Sequence, residues 1–101
     1  MNPRLEIFRS ATFNRWLHDL RDRQARTRVF ARIDRLANGN PGDVRSVGDG
    51  VSELRIDYGP GYRVYFMRRG VAAVVLLWGG DKRTQSSDIE RAMAIVEDWR
   101  G

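Results

Sequence analysis

The sequence holds no cysteine, which removes two classes of small protein at once: disulfide-stapled secreted domains and domains folded around a thiolate metal site. Histidine is nearly as scarce. His18 is alone, so no second imidazole exists to complete a histidine metal centre, and its place is that of a helix residue. No long hydrophobic run is present either: "VAAVVLLW" (Val71 to Trp78) is far shorter than the roughly 20 residues a membrane-spanning helix needs. The opening "MNPRLEIFRS" carries charges where a signal peptide would place its apolar centre. A P-loop is missing too, because "GGDKRTQ" sets glycines ahead of a lysine without the phosphate-cradling spacing. With no repeat, low-complexity tract or linker, these absences leave a cytoplasmic globular domain, with no metal, no cofactor and no membrane partner expected.

What is abundant is arginine. Lys82 is the only lysine, so 17 of the 18 basic residues are arginine, set against 13 acids for a formal charge of +5. Guanidinium is a planar fork of donors that suits phosphate and stacks on bases, so an Arg-dominated basic domain is a candidate for nucleic-acid contact. A GC-rich genome would produce the same composition with no function behind it. Position separates the two readings in part: the excess sits in residues 1–36, which hold nine cations and four acids. The length of 101 residues supports one hydrophobic core, hence a single domain over 1–101.

The hydrophobic spacing predicts eight elements in the order β, α, α, β, β, β, β, α. "LEIF" (Leu5 to Phe8) alternates as a strand, and Ser10 or Thr12 can cap the helix that carries Phe13, Trp16, Leu17 and Leu20 on one face. Beyond "RDRQ", a second helical stripe of Ala25, Val29, Ile33, Leu36 and Ala37 ends at "NGNPG". From Asp43 the period becomes two. "VRSV" reads as an edge strand, and "VSELRIDYG" puts Ser52, Leu54, Ile56 and Tyr58 toward the core, with Val51, Glu53, Arg55 and Asp57 opposite. In "GYRVYFMRRG" the core face is Tyr62, Val64 and Phe66, while "VAAVVLLW", apolar on both faces, reads as a covered interior strand. "SSDIERAMAIVEDWR" closes the chain as a helix, with Ser87 and Glu90 in capping-box spacing and Ile89, Met93, Val96 and Trp99 as its apolar stripe. The class is α+β: a mostly antiparallel sheet with an N-terminal helical hairpin and a C-terminal helix.

Alternation also places chemistry. Glu53 and Arg55 share the outer face of one strand, Arg63 and Tyr65 that of the next, so a hairpin between them would form one polar, basic surface. The turn expected after Trp78 would then deliver Asp81, Lys82 and Arg83 to the same edge, with Gly79 and Gly80 permitting a ligand to come close.

The combination of "ELR", "GYRVYF" and "GGDK.TQ..DI..A" resembles the RelE/ParE superfamily of bacterial toxins, most closely its short HigB-like branch of addiction-module killer proteins, over nearly the whole chain. The resemblance implies a RelE-like fold, with a curved sheet and two N-terminal helices. It implies a toxin of a type II toxin–antitoxin system, a ribosome-dependent endonuclease that cuts mRNA without a metal through attack by the ribose 2′-hydroxyl. Its implied partners are the ribosome with its mRNA and a co-encoded antitoxin, a small helix-turn-helix protein. By similarity, Arg63 stabilises the phosphate and transition state, Arg55, Lys82 and Arg83 complete an electrostatic clamp, and Tyr65 contacts the nucleotide. Asp81, Glu53 or a cation of lowered pKa is left as candidate base, because no tyrosine or histidine follows Arg83. That departure also keeps a second expectation open, a ParE-like toxin that inhibits DNA gyrase without chemistry.

Overall fold

The computed structural model describes residues 4–100. Strand β1 (Glu6–Arg9) leads into helices α1 (Ala11–Asp19) and α2 (Arg23–Ala37). Strands β2 (Val44–Gly48), β3 (Val51–Ile56), β4 (Tyr62–Arg69) and β5 (Ala73–Asp81) follow, then a 3-10 turn (Lys82–Thr84) and helix α3 (Gln85–Trp99). The predicted element order is therefore present. The sheet runs β1-β5-β4-β3-β2, antiparallel in every pair except β1 with β5, which is parallel. The sheet is mostly antiparallel, as the spacing suggests, with one parallel pair that makes it mixed. The parallel pair joins strands far apart in sequence, and local periodicity carries no information about such a pairing.

Side-chain alternation sends one set of residues to each face, and each face has its own helices. Phe13 and Leu17 of α1 and Val29, Ile33 and Leu36 of α2 pack on Leu54, Ile56, Val64, Phe66, Val74 and Leu76. Ala92 and Val96 of α3 pack on Val51, Tyr65, Val75 and Leu77 of the opposite face. Helix α1 starts where Ser10 Oγ accepts from Phe13 N at 3.0 Å; the same hydroxyl donates to Leu77 O at 2.6 Å, so one buried serine both caps the helix and ties it to β5. Asp22 caps α2 through Gln24 N and Ala25 N.

Two local expectations are corrected. The Ser87–Glu90 capping box does not form: α3 begins at Gln85, and Ser87 Oγ instead donates to Thr84 O at 3.1 Å. The 3-10 turn feeds straight into α3, with Asp81 capping the turn by accepting from Arg83 N at 2.8 Å, so the N-terminal role falls upstream of Ser87. Strand β5 also continues through Gly79 and Gly80 to Asp81 instead of turning after Trp78. A Cβ on Gly79 would collide with the indole of Trp16, and one on Gly80 with the carboxylate of Asp88. Those glycines admit close packing of two helices, not of a ligand.

Candidate functional site

Covering the second sheet face with α3 hides most of the surface on which a shared basic platform was expected. What stays open is the end of that face, a cleft of about 290 Å³ lined by Asp43, Arg55, Ile56, Asp57, Gly61, Arg63 and Lys82. Four parts of the chain meet there: the approach to β2, the end of β3, the turn into β4 with its first residues, and the 3-10 turn after β5. A larger, shallower hollow lined by Arg23, Gln24, Thr27 and Arg28 lies along α2 alone and brings no separate elements together.

Arg63 enters from β4 directly opposite Arg55 of β3. Two like charges facing each other across a ladder repel, so each needs its own counter-ion. Arg63 Nη1 donates to Glu53 Oε1 at 2.8 Å, and Arg55 donates through Nε and Nη2 to Asp43 Oδ1 at 3.3 and 3.0 Å. The hydrogen bond to Asp43 holds the Arg55 guanidinium above its ordinary pKa. Gly61, at φ +81°, lets the β3–β4 turn pass close to Lys82: a Cβ there would lie 3.5 Å from Lys82 Cβ. Lys82 is exposed and has no hydrogen bond or ion pair among the described residues.

The other sequence-predicted residues are elsewhere. Glu53 is fully buried and accepts from three donors, Arg63 Nη1, Tyr65 Oη at 3.0 Å and Gln85 Nε2 at 2.9 Å, so it orients Arg63 and cannot touch RNA. Tyr65 is fully buried beneath α3 and cannot stack on a nucleotide; burial first, and the Glu53 carboxylate second, push its pKa upward. Asp81 lies outside the cleft, its carboxylate spent on Arg83: Oδ1 accepts from N and Nε, Oδ2 from Nη2. That guanidinium holds the Asp81 pKa below its usual value, which disqualifies it further as a proton acceptor. Arg83, folded back on Asp81, does not line the cleft. The face with Glu53, Arg55, Arg63 and Tyr65 is thus correctly assigned by alternation, but half of it is interior.

Three site residues escape the sequence reading. Gln85 fixes Glu53 from the first turn of α3, and Asp43 supplies the counter-ion of Arg55. Both arrive from distant elements and carry no local signal. Asp57 does carry one: alternation continued past β3 sets it on the side of Arg55, and both line the cleft.

The family description "Phage derived protein Gp49-like (DUF891)" matches residues 15–97. The chain belongs to this family. An uncharacterized protein of Haemophilus influenzae is 46% identical to this Gp49-like protein over 94 residues, 93% of this chain and 95% of that one. The match corrects the RelE/ParE resemblance, and with it the HigB-like branch: Gp49-like proteins are a different family. The fold is an α+β domain with a mixed sheet. Gp49-like proteins are phage-derived and commonly toxin-like. No helix among the described residues is long and apolar enough to cross a membrane.

Proposed function

We propose that this Gp49-like protein is the toxin of a toxin–antitoxin pair and acts as a metal-independent mRNA endonuclease on the ribosome, blocking translation and growth. One observation carries the reading: Arg55, Arg63 and Lys82, from three separate parts of the chain, line a single cleft. Cleavage of RNA by its own 2′-hydroxyl builds charge on the phosphoryl oxygens, and preorganised cations aimed at that charge are the largest single source of acceleration in such sites. Glu53 and Asp43 hold the two guanidinium groups in place, so little reorganisation is needed as the charge develops. Arg63 takes the phosphate, with Arg55 and Lys82 completing the clamp. The partners under this reading are mRNA in the ribosome and a small helix-turn-helix antitoxin that neutralises the toxin.

Primer extension on a translation reaction tests the activity. Wild type should produce truncated transcripts, and Arg63→Ala should lower their rate of appearance at least about 100-fold, the scale on which losing one oxyanion donor is felt. Intact transcripts with the wild-type protein would defeat the reading. A second reading, a non-enzymatic inhibitor of DNA gyrase, is favoured by the absence of any histidine or tyrosine from the cleft lining. A supercoiling assay decides it: gyrase left active by stoichiometric protein eliminates the inhibitor.

A further inference from the structure

Electrostatic clamping leaves two protons unassigned in the cleavage reaction, one removed from the attacking 2′-hydroxyl and one delivered to the departing 5′-oxygen. The cleft contains very few groups able to move either. Arginine does not give up its proton at any working pH, so Arg55 and Arg63 are excluded as donors. Of the carboxylates weighed from the sequence, Glu53 is buried under three donors and Asp81 is outside the cleft. Two carboxylates do line it. Asp43 is engaged through Oδ1 with Arg55. Asp57 is exposed, has no hydrogen bond or ion pair among the described residues, and sits on the ridge between this cleft and a second hollow lined by Arg28, Ala31, Arg32, Arg35 and Ile56. Lys82 is the one cation of the cleft that can release a proton, and it too lacks a partner.

Resting on the endonuclease reading, we propose that Asp57 is the general base and Lys82 the general acid of this site. The Asp57 carboxylate takes the proton of the 2′-hydroxyl as that oxygen bonds to phosphorus. The P–O5′ bond breaks, its electron pair stays on O5′, and the Lys82 ammonium protonates it. The products are a 2′,3′-cyclic phosphate and a free 5′-hydroxyl. One proton is taken and one is given, so no co-reactant is needed. Both groups reach the cleft from short loops, Asp57 just past β3 and Lys82 just past β5, and the glycine at 61 lets those loops approach.

The test uses the full-length protein on ribosomes programmed with an mRNA that is ribose only at the cleavage site, carrying either the natural 5′-oxygen or a bridging 5′-sulfur at the scissile phosphate. Sulfur leaves as a thiolate and needs no acid. Asp57→Asn should cut both substrates at least about 100-fold more slowly than wild type, the ordinary worth of a positioned proton-transfer group. Lys82→Ala should be equally slow with oxygen and return to within about tenfold of wild type with sulfur, which a role limited to folding or charge would not produce. Binding of an all-deoxy, uncleavable message should be unchanged in Asp57→Asn, which separates proton transfer from docking. Wild-type rates in Asp57→Asn, or no rescue of Lys82→Ala by sulfur, overturn the assignment while leaving the endonuclease intact. No cleavage by wild type on either substrate overturns the endonuclease, and the assignment with it.

Discussion

Glu53 is the residue on which the cleft depends most, although it never touches it. Its two carboxylate oxygens accept from Arg63, Tyr65 and Gln85, drawing β4 and the start of α3 onto β3. Removing one partner of a buried pair leaves the other charge stranded, so Glu53→Ala should cost about 3–5 kcal/mol in urea unfolding, far more than an exposed pair such as Arg4–Asp34 would yield. Tyr65 gives a pH test of the same knot. Its pKa in the fold lies above the ordinary 10.0, so the stability it contributes is complete below pH 10 and declines as pH rises beyond it, toward the folded-state value. Tyr65→Phe should therefore lose less stability than wild type between pH 8 and pH 11, read from urea midpoints. Some loss should persist, because Tyr58 and Tyr62 are also raised.

Among the elements, β5 is the piece whose meaning changes most between sequence and structure. Its apolar centre was legible because a strand covered on both faces has no polar side to show, and α1 and α3 do cover it. Its glycine tail was misread: Gly79 and Gly80 look like loop chemistry in one dimension and are packing gaps in three, one for Trp16 and one for Asp88. Gly80→Ala should destabilise by about 1–3 kcal/mol in thermal unfolding, the cost of overpacking, because the Asp88 carboxylate it would strike is held by Trp78 Nε1 and Thr84 Oγ1. The capping box at Ser87 failed for a related reason. The spacing was present, but a 3-10 turn already anchored by Asp81 had begun the helical path upstream.

For the molecule as a whole, the charge of +5 and the arginines along α2 set how it meets any polyanion. Arg28 and Arg35 border the hollow that adjoins the cleft across Asp57. Binding to a single-stranded RNA oligonucleotide should weaken steeply with salt. Arg28→Glu with Arg35→Glu should flatten the log–log slope by about 1.4, at about 0.7 for each phosphate no longer neutralised. An unchanged slope would place nucleic acid away from α2.

Periodicity and composition were enough to set the order of elements, the strand face on which Arg55 and Arg63 stand, and the excess of positive charge, because each of these is a local or summed property of the chain. Which of those residues see solvent was settled in three dimensions, since that depends on α3 closing over Glu53 and Tyr65. So was the choice of carboxylate that neutralises each arginine. Asp43 and Gln85 reach the site from elements whose meeting is set by long-range packing, and such a meeting leaves no trace in local spacing.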